Sequence, residues 1–336
     1  MNSSQIIKRS PSNIAIVKYW GKHDNQLPNN PSISFTLSNC YTETKLGYEI
    51  NDIDKDNIHL DFYFEGKENE KFKTKIEKYL HDNEEYFSFL KGLKLRIEST
   101  NSFPHSSGIA SSASSMSALV LCLLGIKYKD AEINLQEASF LSRLASGSAS
   151  RSIFPTMSLW GKTPSLPNSS DEYAVSIADL VDPVFKSYHD SILIVSSEEK
   201  SVSSRAGHSL MNSHPQAQER YATARKNTED LLKILQSGDL EGFIKIAEAE
   251  ANQLHDLMAT STPSYTLKKP NTIKIIEKIV QFRRDTSLPI CYTLDAGPNV
   301  HLLYPDFCAQ DVKSFINDEL KNHCFENKWI EDKVSI

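Results

Sequence analysis

The chain has 336 residues, 39% hydrophobic and 24% charged, with a formal net charge of −6. This balance supports a packed core, argues against disorder, and disfavours nucleic-acid or membrane-surface roles, which need clustered Lys and Arg. Five scattered cysteines (Cys40, Cys122, Cys291, Cys308, Cys324) have no metal-ligand or CxxC spacing, the first twelve residues lack the apolar core of a signal peptide, and no apolar run approaches the ~20 residues of a membrane span, which together point to a cytoplasmic protein with reduced thiols.

In chain order, residues 13–22 read as a strand (Ile14, Ile16, Val17) with a polar, aromatic exit, Lys18-Tyr19-Trp20-Gly21-Lys22. Two lysines and two large aromatics so close together make either a solvated strand end or one wall of an anion pocket. Residues 27–32 form a Pro/Asn turn, and 33–37 and 43–50 read as two strands of a hairpin. The charged stretch 51–85 carries one peripheral helix at 71–80, with Phe72, Ile76 and Leu80 at helical spacing. A strand at 93–99 then runs into PHSSGIASSASS (104–115), and the apolar run 116–124 leaves it as a buried helix. A small-residue loop at a helix N-terminus offers free N–H groups and the positive end of the helix dipole to an anion. Gly108, Ala110 and Ala113 allow close backbone approach, and the serines offer hydroxyls to a phosphate or a cation. No Gly-Lys-Ser/Thr follows, so this is not a Walker A loop, and a serine-rich helix cap is the plain alternative.

Residues 134–145 read as an amphipathic helix. It ends in a second small-residue stretch, 145–152, whose one arginine, Arg151, either offers its fork to a carboxylate or phosphate or sits on the surface. An exposed loop at 163–172, a strand at 191–195 and a polar loop at 201–208 lead to two long helices, 216–235 and 240–258, broken at Gly238. A helix at 271–284, a strand at 290–294, the turn Asp295-Ala296-Gly297-Pro298-Asn299, a strand at 300–304 and a helix at 310–321 complete the chain. Turn chemistry alone accounts for Asp295 and Asn299. Mixed strands and helices, with a composition break near 163–182, give two α+β lobes, taken as 1–184 and 185–336.

The motifs NIAIVKYWGK (13–22), PSIS (31–34), PHSSGIASSAS (104–114), SGSASRS (146–152), VSSRAG (202–207) and DAGPN (295–299) follow one another in an order that resembles the mevalonate diphosphate decarboxylases, a branch of the GHMP kinases. The resemblance spans nearly the whole chain, and KYWGK with SGSASRS is specific to this branch. It implies a two-lobed α+β GHMP kinase fold, with an N-terminal lobe like domain 2 of ribosomal protein S5 and a C-terminal ferredoxin-like lobe. It implies an enzyme that uses ATP and Mg²⁺ to convert mevalonate 5-diphosphate to isopentenyl diphosphate, releasing ADP, phosphate and CO₂, and that works as a homodimer without nucleic-acid or membrane partners.

Carried over by motif, Asp295 orients the substrate 3-hydroxyl and takes its proton, Arg151 holds the substrate carboxylate, and Lys18 lies near the reacting phosphate. Ala15, Tyr19, Trp20, Lys22, Ser146, Gly147, Ser148, Arg205 and His208 line the substrate, with Lys22 and Arg205 at the diphosphate. Pro104, Gly108, Ala110, Ser111 and Ser112 hold the nucleotide, and Ser112 also holds Mg²⁺. The chain departs from the family at His105-Ser106-Ser107, where Thr-Ala-Ala is common, at Pro155-Thr156, where Gly-Gly is usual, and at His208, often methionine. A cationic His208 would strengthen diphosphate binding as pH falls through about 6.5. Rival readings are decarboxylation of mevalonate 5-phosphate and a 3-kinase that stops after phosphorylation. A non-catalytic ligand sensor is disfavoured by the retained Asp295 and serine loop.

Overall fold

A computed structural model describes residues 4–51, 53–104, 109–129, 131–198 and 202–335. Gly108, expected at the nucleotide, and the departing residues 105–107 lie outside the described residues.

Two long antiparallel strands organise the first half, β1 (Ser4–Val17) and β2 (Ser32–Ile50). The hairpin expected at 33–50 is instead this single strand. Its two halves look separate because the ladder jumps from Pro11↔Tyr41 to Asn13↔Thr36, leaving 37–40 as a bulge opposite Ser12. Strands β3 (His59–Phe64), β4 (Lys67–Glu68), β5 (Leu93–Asn101), β6 (Met157–Trp160) and β7 (Ala174–Ser176) complete a seven-stranded sheet of order β4-β3-β5-β2-β6-β7, with β1 on β2. The crossover between parallel β3 and β5 carries helix α1 (Glu70–Asp82), started by the Asn69 side chain accepting from the Phe72 N–H.

Helix α2 (Ser111–Tyr128) begins five residues before the apolar run, so Ser111 to Ser115 belong to its first turns rather than to a loop. It is long and apolar enough to cross a membrane by composition, yet it is two-thirds buried inside the protein, against Leu46, Ile97 and helix α3 (Leu135–Ala145). It is therefore a core helix.

The second half forms a four-stranded antiparallel sheet from β8 (His189–Leu193), β9 (Cys291–Thr293), β10 (Val300–Tyr304) and β11 (Trp329–Lys333), in the order β9-β10-β8-β11. With it pack α4 (Ser204–Leu210), α5 (Ala217–Ser237), α6 (Leu240–Ala259), α7 (Pro270–Thr286) and α8 (Ala309–Phe315), the last running on as a π-helical turn to Leu320. The expected polar loop at 201–208 is partly helix α4, capped by the Ser203 hydroxyl on the Ala206 N–H. One continuous apolar core joins the halves: Ile14, Ile16, Phe35 and Leu37 meet Tyr188, Ile192, Leu231 and Phe243. The ends of β1 and β9, where Lys18 and Asp295 stand, both meet α6 at this junction.

Candidate active site

The middle of β1 carries a row of buried polar groups ahead of its apolar end, residues 14–17. Ser10 donates to the Ser152 carbonyl, Ser12 to the Ile109 carbonyl at 2.6 Å, and Asn13 to the Ser148 carbonyl and Ser152 hydroxyl. One strand thus holds both small-residue segments, the end of the serine loop and the turn that carries Arg151. That turn, Gly147–Ile153, is a 3₁₀ helix capped by Ser146. Gly147 is required there, because a Cβ would lie 2.8 Å from the Trp160 ring and 2.9 Å from the Tyr19 hydroxyl. Ser146 and Ser148 are half-buried beside it.

Arg151 is a core residue rather than a surface one, only 3% exposed. Its Nη1 donates to Ser32 Oγ at 2.7 Å, its Nε to Ser34 Oγ at 3.1 Å, and its Nη2 to Asn13 Oδ1 at 3.2 Å. Every one of these acceptors is neutral. Burial pushes the guanidinium down to about 10, against the attraction of Asp295. A buried guanidinium held only by neutral oxygens is a receptor for a guest carboxylate or phosphate.

Lys18 is almost fully buried and Asp295 partly open, with Nζ 3.7 Å from Oδ1. The Lys18 ammonium also donates to the Ala15 carbonyl, which places Ala15 beside it. Burial lowers Lys18 to about 8 although Asp295 and Glu250 favour its charged form. The Asp295 turn is fixed by a 2.7 Å bond from the Gly297 N–H to the Asp295 carbonyl, by the Thr272 hydroxyl on the Pro298 carbonyl, and by Asn299 accepting the Val195 and Ser196 N–H groups.

Lys22 is half-buried and bonds Gln26 at 2.7 Å; burial, then Arg205, lowers its ammonium. Arg205 is exposed in the first turn of α4. Lys75, which sequence reasoning missed, joins them from α1: burial, then Arg205 and Lys22, push it down to about 8. Three cations therefore lie near enough to act on one another, and Lys22 and Lys75 are both lowered.

The aromatic wall differs from expectation. Trp20 is buried among Met211, Tyr221, Leu254 and Leu257, so it packs across the junction of the two lobes. His208 is buried with its ring 4.3 Å from that of Tyr19 and 4.6 Å from that of Trp20. Its Nδ1 accepts the Gly21 N–H at 3.0 Å, which requires an unprotonated nitrogen. Burial, reinforced by Lys22 and Arg151, pushes it down to about 3. A cationic His208 is thus excluded: the ring is neutral and packs, tilted, against Tyr19 and Trp20.

At the segment expected to hold the nucleotide, Pro104 is exposed and Ala110 precedes α2 with a left-handed φ of 42°. Ser111 and exposed Ser112 open the first turn, where N–H groups have no intrahelical partners. Hydroxyl oxygens are hard donors of the kind Mg²⁺ takes, and among the described residues no three His, Cys, Asp or Glu side chains converge on a metal site.

Asn13, Ser32 and Ser34 had a visible signal, since serines two apart on a strand share a face. Arg220 and Glu250 also had one: each is a lone charge in a helix's apolar stripe, and each is wholly buried.

Comparison with known proteins gives the following matches. A family model described as a diphosphomevalonate decarboxylase-like N-terminal domain matches residues 10–174, and a mevalonate 5-diphosphate decarboxylase C-terminal domain matches 191–335. The diphosphomevalonate decarboxylase of Saccharomyces cerevisiae is 32% identical, covering 88% of this chain and 76% of the yeast protein. The crystal structure of mevalonate diphosphate decarboxylase from Staphylococcus aureus superposes with a TM-score of 0.85 at 27% identity, covering 99% of this chain and 96% of that one. A structure described as MDDEF in complex with MVAPP, AMPPCP and magnesium gives 0.82 at 27% identity, over 99% and 98% of the two chains.

Proposed function

Because the chain belongs to the diphosphomevalonate decarboxylase family, we propose the following account of how its cleft performs the family's reaction. The protein is an ATP-dependent decarboxylase that converts mevalonate 5-diphosphate to isopentenyl diphosphate in the mevalonate pathway. The single observation that carries the assignment of residues is the buried Lys18–Asp295 contact beside an Arg151 held only by neutral acceptors.

The carboxylate of the substrate docks on Arg151, whose fork gains the anion it lacks. The tertiary 3-hydroxyl then lies against Asp295, which orients it and takes its proton as the oxygen attacks the γ-phosphorus of ATP; the bond from that phosphorus to the β,γ-bridging oxygen breaks and ADP leaves. Lys18 offsets the negative charge that gathers between Asp295 and the incoming phosphoryl group. The 3-phosphate leaves with its bonding electrons. The C–C bond to the carboxylate breaks, its electron pair forms the alkene, and CO₂ departs. Arg151 keeps that carboxylate in line with the breaking C–O bond.

Lys22, Lys75 and Arg205 hold the diphosphate at the far mouth, and Tyr19, Gly147 and the flanking Ser146 and Ser148 close over the carbon chain. Ser111 and Ser112, with Pro104 and Ala110, meet the nucleotide phosphates at the start of α2. Mg²⁺, which MDDEF holds beside MVAPP and AMPPCP, would sit with Ser112 and supply charge neutralisation on those phosphates. Five buried free cysteines suit a reducing compartment, and we take the enzyme to be a cytoplasmic homodimer.

The test is a coupled ADP-release assay with mevalonate, its 5-phosphate and its 5-diphosphate, reading CO₂ in parallel. The account expects preference for the 5-diphosphate. Preference for the 5-phosphate would replace the substrate.

A further inference from the structure

Two buried charged residues take no part in the chemistry above. Arg220 on α5 and Glu250 on α6 form a closed pair with no exposure, Nη2 to Oε2 at 2.6 Å and Nη1 to Oε1 at 2.9 Å. Asn227 also donates to Glu250 Oε1, and Arg220 Nη1 donates to Gln253. Arg220 Nε has no partner among the described residues. Apolar side chains of similar volume often replace such a pair at no loss of stability. Folding energy therefore does not account for it.

What the pair holds is the backbone of Lys18. That residue is the first beyond β1, so its N–H and C=O have left the strand ladder while still buried, and each must find a partner. Glu250 Oε2 accepts the Lys18 N–H at 2.8 Å, and Arg220 Nη2 donates to the Lys18 carbonyl at 2.8 Å. Asn30 makes a second bond to that carbonyl. The same helix holds the other half of the catalytic pair. His255 Nε2 donates to the Asp295 carbonyl at 3.1 Å, and Asn252 donates to the Tyr292 hydroxyl at 2.9 Å on the strand that leads into the turn. Burial pushes His255 down to about 4, so it stays neutral and keeps one N–H for this bond. Glu250 and His255 are five residues apart, about 140° around α6 and about 7.5 Å along it. One helix thereby presents one group to the end of β1 and another to the Asp295 turn.

We propose that α6, through the Arg220–Glu250 pair and His255, is the positioning element that sets Lys18 in register with Asp295 across the two lobes. The proposal rests on the reading of Lys18 and Asp295 as catalytic residues. The Lys18 ammonium faces Asp295 from the turn, Arg151 from the 3₁₀ segment and Glu250 from α6. Glu250 therefore both places this ammonium and favours its charged form.

The test is the double variant Arg220→Met/Glu250→Met, which removes the anchors without leaving a lone buried charge. Circular dichroism and thermal melting report the fold. Loss of register is expected to lower kcat by roughly 10- to 100-fold, with KM for both substrates within about two-fold of wild type. Arg220→Lys keeps the charge but has no fork to span Glu250 and the Lys18 carbonyl, so its kcat is expected to fall in the same direction. A folded double variant with wild-type kcat overturns the proposal. If the double variant does not fold, Arg220→Lys decides: wild-type kcat overturns the proposal, and reduced kcat with an unchanged melting temperature sustains it. Failure of the parent reading is separate, since it would appear as wild-type turnover in Lys18→Met or Asp295→Asn.

Discussion

Single side chains decide the chemistry here, and their surroundings fix their charge. Lys18 sits at about 8 because burial outweighs the nearby carboxylates, so its ammonium is present below about pH 8 and is lost above it. Activity that needs that ammonium should therefore fall as pH rises through this value. The measurement is kcat/KM against pH, which reports the free enzyme, and a flat profile between pH 7 and 9.5 would contradict the role. His208 predicts the opposite kind of result. Buried and accepting the Gly21 N–H, it stays neutral throughout pH 6 to 8. His208→Met should therefore leave the pH response of KM for the 5-diphosphate unaltered. Arg205→Ala, by contrast, should raise that KM with kcat kept and narrow the preference over the 5-phosphate. Residue types at this scale were legible in the sequence; their charge states were not, because burial is a property of the fold.

Elements explain where the reading from sequence diverged. The hairpin expected at 33–50 is one bulged strand, because four residues of β2 oppose a single residue of β1, a pattern that apolar alternation does not reveal. The serine loop was legible as a helix entrance, yet α2 starts earlier, since serine's weak helix propensity hid its first turns. Arg220 and Glu250 were passed over because they lie thirty residues apart and meet only when α5 packs on α6. Thr156 is the informative departure. It stands where the family usually has glycine, and it adopts a φ of 61°, a conformation that strains a β-branched residue. Thr156→Gly should relieve that strain and stabilise the protein by about 1 kcal/mol, after the entropy glycine loses on folding. A urea midpoint unchanged or lowered would contradict this.

Across the whole molecule, the two lobes act as one body. Asp332 on β11 accepts the N–H groups of Ser38, Asn39 and Cys40 at 2.7–2.9 Å, filling the bulge of β2 with a carboxylate from the other lobe. Asp332→Ala should cost about 2–4 kcal/mol by orphaning these donors, read as a lowered urea midpoint; an unchanged midpoint would show that the lobes are held elsewhere. This docking matters because Lys18 and Arg151 come from the first lobe and Asp295 from the second. The motifs showed which residues belong together, but only the packed halves show that they meet. The most direct measurement of that claim is CO₂ and ADP release, read together from mevalonate 5-diphosphate, in wild type and in Asp295→Asn. The account predicts one CO₂ per ADP in wild type, and a fall of both rates by ~10²-fold or more in the folded variant with KM largely kept. Near-wild-type turnover in a folded Asp295→Asn, or ADP released by the wild type without CO₂, would contradict it.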